Sequence, residues 1–181
     1  REELIEAAKE HHYIFGDQLP PSTDDLIFIE GYKSSLDLEN GKTVEFRPLL
    51  PSDEFAYRNF FYSLHEKTIY FRFFYKMRNF THEVVQKQVA SLDYRNNISI
   101  IGLTQKGGHK EIVAIGSYAK EDDSRAEVAF VVREDLQGQG IGAFLLGLLE
   151  RIARENGFVS FAATVLRENA SMLKVFKYGT N

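Results

Sequence analysis

A strand, a glycine-bearing turn, a long helix and a second strand follow one another between residues 126 and 165, and that succession leaves few choices of fold. Residues 126–132 (Ala-Glu-Val-Ala-Phe-Val-Val) have the composition and alternation of a strand. The turn Gln137-Gly138-Gln139-Gly140-Ile141-Gly142 follows. From about Gly140 to Glu155 the residues Ile141, Leu145, Leu148 and Ile152 recur at helical spacing, and Asn156-Gly157 ends the run as a C-cap pair. Residues 158–165 read as a strand again. Two strands joined through a helix in one sheet call for a parallel, right-handed crossover.

The remaining punctuation adds antiparallel strands to this unit. Residues 98–104 and 112–119 flank the turn Lys106-Gly107-Gly108-His109, and Glu121-Asp122-Asp123-Ser124 leads into residues 126–132, so three strands form a meander. An earlier strand begins at Thr43 (Val44, Phe46, Leu49) and is closed by Pro48 and Pro51. Ser52-Asp53-Glu54 then opens a helix to about Leu64, and Thr81 is the N-cap of another that runs to about Leu92. The aromatic run Tyr70-Phe71-Arg72-Phe73-Phe74-Tyr75 reads as core packing, with Arg72 either paired to a carboxylate or lining a substrate groove. Residues 170–177 form a last helix. The expected fold class is α/β (α+β): a mixed central sheet with an antiparallel meander, a β-α-β crossover and flanking helices.

Composition then removes whole function classes. The 181 residues, 44% hydrophobic and 27% charged, suffice for one full core. A net charge of -4 without any long basic block argues against nucleic acid as a partner. No apolar run approaches the roughly 18 residues of a membrane span, so no membrane partner is expected. The lack of cysteine excludes disulfides and thiolate metal sites, and fits a cytoplasmic protein. His65, His82 and His109 are scattered and His11-His12 is an exposed-looking pair, so no metal is expected. Residues 1–42, with the turn-rich stretch 17–25, read as an N-terminal extension or connector. The chain begins on Arg1 within a helix-like run, which suggests a piece of a longer polypeptide.

A glycine turn between strand and helix places unpaired N–H groups and the positive end of a helix dipole before an anion. A P-loop would need Lys and Ser or Thr after its last glycine, whereas Ala143-Phe144 follows Gly142. Gly138, Gly140 and Ala143 formally satisfy a dinucleotide fingerprint, but residues 133–137 separate them from the strand and residues 161–164 offer no ribose-binding carboxylate. The glycines could also serve only the turn.

Residues 126–132, the pattern Gln137-x-x-Gly140-x-Gly142 opening a helix, and Asn169 beyond the next strand resemble the acetyl-CoA core of the GNAT superfamily. Residues 44–53 (Val-Glu-Phe-Arg-Pro-Leu-Leu-Pro-Ser-Asp), the Tyr70-Phe71-Arg72-Phe73-Phe74 segment and Arg167-Glu168-Asn169-x-x-Met172-Leu173 resemble its protein lysine acetyltransferase (Pat-like) branch. The likeness spans roughly residues 43–178, making 43–181 the acetyltransferase domain. It implies an acyltransferase moving an acetyl group from acetyl-CoA to an amine, most simply a protein lysine, and a partner domain that handles acyl-CoA. It also implies that Phe130, Val131 and Val132 line the edge that pairs with pantetheine. Gln137, Gly138, Gln139, Gly140, Ile141, Gly142 and Ala143 would form the pyrophosphate loop, and Asn169 would bond the pantetheine end. A regulatory acetyl-CoA-sensing domain and a small-molecule amine acetyltransferase are the alternatives.

A free lysine amine titrates near pH 10.4, so transfer needs a base, and Glu127 matches the catalytic glutamate of the Pat-like branch, acting directly or through a water. Strand alternation puts Glu127 with Ala129 and Val131 on one face and Val128, Phe130 and Val132 on the other. An N–H near Val131 would meet the oxyanion. Two departures stand out. Phe176 occupies the position where many family members carry a tyrosine acid, with Tyr178 two residues off. The sequence also ends at Asn181, where the family continues into two further strands that help form the acceptor site.

Overall fold

The computed structural model describes residues 29–74 and 79–178. The expected N-terminal helical piece, the stretch 17–25, His11-His12, Tyr75 and residues 179–181 lie outside them, as does the side chain of Tyr178. Six strands form one mixed sheet whose order follows the chain: β1 (Ser34–Asp37), β2 (Thr43–Pro48), β3 (Asn97–Lys106), β4 (His109–Lys120), β5 (Arg125–Val132) and β6 (Ser160–Ala162). Neighbours pair antiparallel from β1 to β5, and β5 pairs with β6 in parallel. Three helices, α1 (Glu54–Tyr62), α2 (Glu66–Phe73) and α3 (His82–Ala90), lie between β2 and β3. α4 (Ile141–Glu155) makes the crossover from β5 to β6, and α5 (Ala170–Tyr178) follows. The mixed sheet with meander, crossover and flanking helices is the expected fold.

The two faces of the sheet pack differently because their side chains differ in size. On one face Gly116 lets α4 approach so closely that a Cβ there would stand 3.0 Å from Leu149 Cδ1. That contact seats Leu145 and Leu149, both fully buried, against the middle of the sheet, each worth roughly 2 kcal/mol in apolar burial. Phe130 on the same face packs at a tilt of 34° against Phe176 of α5, at 5.1 Å between centroids. The opposite face is covered by the aromatic cluster of α1, where Phe61 stacks on Phe80 at 4.9 Å. Asn156 closes α4 by donating to the hydroxyls of Tyr118 (3.2 Å) and Tyr32 (3.3 Å), which ties the helix end to the sheet.

Two expectations change, and one helix was not foreseen. Residues 34–37, inside the stretch read as connector, pair with β2 as an edge strand. Their sequence Ser-Ser-Leu-Asp has a single large apolar residue, so no strand period announces it. The aromatic run, for which the sequence suggested no element, is helical from Tyr70 to Phe73, and Phe74 caps α2 with a left-handed φ of 63°, rare for a bulky residue. Strand 158–165 shrinks to Ser160–Ala162, because β5 pairs with it only through Glu127 opposite Ala162.

Candidate active site

The shortness of β6 creates the site. Arg125, Ala126 and Glu127 pair with Ser160, Phe161 and Ala162, and beyond that point the two parallel strands part. From Val128 to Val132 the β5 edge borders a cleft of about 1000 Å³ instead of a strand. Thr164, Val165 and Asn169 border the far side of the fork, and α2 with its flanks, from His65 to Phe74, forms a second wall. Eleven sequence-derived candidates line this cleft: Glu127, Phe130, Val131 and Val132 on β5, then Gln137, Gly138, Gly140, Ile141, Gly142 and Ala143, and Asn169.

Gln139 is the exception. Its Oε1 accepts from Asn40 Nδ2 at 3.3 Å and its Nε2 donates to the Asp135 carbonyl at 3.4 Å, so its side chain braces the loop against the β1–β2 turn. Gln137 turns the other way, donating from Nε2 to the Val132 carbonyl at 2.9 Å. That bond uses one lone pair of a carbonyl on the strand expected to meet a ligand and leaves the other free.

The loop has the geometry of an anion cradle. Gly138 (φ 74°) and Gly140 (φ 86°) are left-handed, and a Cβ added at either would meet nothing within 4 Å. These glycines therefore answer to backbone conformation and to close approach from outside, not to internal packing. The first hydrogen bond of α4 runs from Phe144 N–H to the Gly140 carbonyl at 3.0 Å, leaving the N–H groups of Ile141, Gly142 and Ala143 without helical acceptors. α4 has no acidic residue in its first turn, so nothing there competes with an incoming anion. The chemistry of this donor set fits a pyrophosphate.

Charged residues hold the loop rigid. Arg133 grips Asp135 in a bidentate pair (2.6 and 2.9 Å) and reaches Glu111 at 3.0 Å. The Arg133 bond holds the Asp135 carboxyl below the usual carboxylate range. Glu134 accepts from the His65 N–H at 2.7 Å, which links the α2 wall to the glycine loop. Burial pushes the Glu134 carboxyl up, but hydrogen bonds from Thr68 and His65 outweigh it and leave the group below its ordinary value.

Glu127 is exposed at the mouth of the fork, on the face it shares with half-buried Ala129, as alternation requires. Asn169 is buried, and its Oδ1 accepts from Met172 N–H at 3.3 Å, capping α5. The cap uses the oxygen and leaves Nδ2 as a donor for the cleft. Phe176 lines the cleft at the position expected to depart from tyrosine. Arg72 also lines it, with its guanidinium over the Phe73 ring at 4.9 Å. Among the described residues no group of three or more His, Cys, Asp or Glu could hold a metal ion, and no helix is long and apolar enough to cross a membrane.

Residues of the α2 wall and of β3–β4 were not singled out as site residues from the sequence, apart from Arg72. Their place depends on cross-strand register and on the packing of α2, which no local motif encodes.

Comparison with known proteins bears on the same residues. A model of the acetyltransferase (GNAT) family matches residues 58–180. Acetyltransferase PA5475 of Pseudomonas aeruginosa is 30% identical over 131 residues, which cover 72% of this chain and 70% of that protein. Acetyltransferase Pat of Mycolicibacterium smegmatis is 31% identical over 140 residues, covering 76% of this chain and 41% of that protein, so the chain spans less than half of this longer relative. The solved GNAT domain of S. lividans PAT is similar in structure, with a TM-score of 0.74 at 28% identity over 83% of this chain and 88% of that one.

Proposed function

The chain belongs to the acetyltransferase (GNAT) family of acyltransferases, and from that membership we propose that it transfers an acetyl group from acetyl-CoA to the side-chain amine of a protein lysine. The observation that carries the proposal is the fork between β5 and β6, which opens beside Glu127 and leads along Val128 to Val132 into the glycine cradle.

Each part of the site has a task in that reaction. The β5 edge offers backbone groups to the amides of pantetheine, as an added strand would. The N–H groups at the start of α4 receive the pyrophosphate. Asn169 Nδ2 donates to the pantetheine end. Glu127 takes a proton from the acceptor amine, directly or through a water, because only the neutral amine has a lone pair for attack. The register with β4 turns the Val131 N–H toward Ile115, so the oxyanion that develops on the thioester carbonyl is met by an N–H on either side of it, from Phe130 or Val132, which the β5 edge presents to the cleft. The thiolate leaves without an acid, consistent with phenylalanine at position 176. Lysine as acceptor is supported by the likeness to Pat and to the PAT domain, and by a Glu127 left open rather than covered.

Calorimetric titration with acetyl-CoA is the first test. Binding in the micromolar range is expected, and Gly140→Glu, which puts a negative side chain into the cradle, should abolish it. With an accepted amine, Glu127→Gln should lower kcat by about 10²- to 10³-fold with little change in acetyl-CoA affinity. Tight binding that survives Gly140→Glu would remove the cradle assignment.

A further inference from the structure

Two serines lie side by side in the floor of the cleft. β3 and β4 set Ser99 opposite Ser117, and β4 and β5 set Ser117 opposite Ala129. The next row on the same face is Asn97, Ala119 and Glu127. All six residues line the cleft. Ala119 and Ala129 fill little of the space above them, and Asn97, Ser117 and Glu127 border it with polar groups.

The direction of the serine bond follows from burial. The hydroxyl oxygens are 2.7 Å apart, Ser99 is 1% exposed and Ser117 is half-buried at the cleft surface. If Ser117 were the donor, the Ser99 hydroxyl proton would be enclosed without an acceptor among the described residues, a costly state for a donor. Ser99 therefore donates, and Ser117 keeps its own proton and a lone pair for the cleft. Ser117 and Glu127 are diagonal neighbours across the β4–β5 pair, roughly 7 Å apart, a gap that the glutamate side chain and one water bridge.

We propose that Ser117 is a further catalytic residue, which receives the acceptor amine's proton and passes its own toward Glu127, and that Ser99 is its positioning residue. The inference rests on the acetyl-transfer reading. The proton whose loss makes the amine neutral passes through exposed Glu127 to solvent, which restores its carboxylate; as the neutral amine nitrogen then bonds to the thioester carbonyl carbon, one N–H bond breaks and its proton goes to Ser117 Oγ. The original Ser117 proton moves to a water above Ala119 and Ala129, and a proton of that water moves to the Glu127 carboxylate. Ser117 and the water are regenerated, and the sulfur leaves as a thiolate with the electron pair of the broken C–S bond.

Neutron diffraction from crystals of the protein reads the hydroxyl directions. The expected map has the Ser99 deuteron aimed at Ser117 Oγ and a water within hydrogen-bond reach of both Ser117 and Glu127; a Ser117 deuteron aimed at Ser99 overturns the proposal. Acetyl transfer from acetyl-CoA to poly-L-lysine then separates relay from base. Ser117→Ala should lower kcat about tenfold or more while leaving KM for acetyl-CoA unchanged, with a fall in Tm of a few degrees because Ser99 loses its acceptor, and Ser117→Thr, which restores the hydroxyl, should recover most of the loss in both. Ser99→Ala should lower kcat by a smaller factor, again with KM for acetyl-CoA unchanged. Full kcat in Ser117→Ala beside an inactive Glu127→Gln overturns the relay alone. Full kcat in Glu127→Gln removes the base, and the relay with it.

Discussion

Asn169 divides its carboxamide between two tasks, with Oδ1 capping α5 through Met172 N–H and Nδ2 left for the cleft. The division makes structure and binding separable in one side chain. Asn169→Asp keeps a capping oxygen at a helix N-terminus, where a carboxylate is also favoured by the dipole, but it has no amide donor. Its Tm should match the parent while its Kd for acetyl-CoA rises at least several-fold. Asn169→Ala loses both functions, and should cost about 1 kcal/mol of stability as well as affinity. Differential scanning fluorimetry paired with calorimetric titration checks the two variants together. If Asn169→Asp binds acetyl-CoA as well as the parent, the donor role assigned to Nδ2 is wrong.

Among the elements, α3 shows how a helix start is written locally. Thr81 takes an extended conformation and its hydroxyl accepts from Val84 N–H at 3.3 Å. Thr81→Ala should cost about 1 kcal/mol, a fall in Tm of about 2–4 °C for a domain of this size. Calorimetry should show acetyl-CoA affinity unchanged, because α3 meets the cleft only at its C-terminal end, through Gln88 and the following Ser91 and Leu92. The same kind of local signal made α1, α4, α5 and the β3–β5 meander legible in the sequence, and the loop from Gln137 to Gly142 was legible for that reason. α2 was not, because Tyr70-Phe71-Arg72-Phe73-Phe74 has a strand-like composition and its helix is imposed by packing against the sheet. β1 escaped notice for want of apolar residues, and the end of β6 is set by where its partner stops. Glu127 could be placed by alternation within one strand, whereas Ser99 and Ser117 acquire their meaning only once three strands are in register.

For the whole molecule, the buried phenols set an upper limit of pH. Burial pushes Tyr57 up to about 12 and raises Tyr118 further. An unfolded tyrosine titrates near pH 10, so above that value the unfolded chain releases protons that the folded chain retains. The stabilisation is complete below about pH 10 and is lost as pH rises toward the folded values. Absorbance of tyrosinate at about 295 nm, recorded beside far-UV circular dichroism, should show the last phenols ionising only as helix and sheet signals collapse. Ionisation of every tyrosine with the dichroism intact would contradict the burial of Tyr57 in the α1 aromatic cluster. The unbroken strand order from β1 to β6 carries a temporal consequence. Each strand of a chain emerging from a ribosome finds its partner already made, although the meander lacks the cover of one face until α4 follows. The pairing of β6 with β5 comes last, so a nascent chain ending before Ala162 has no fork. The cleft between β5 and β6 is thus among the final things this polypeptide acquires.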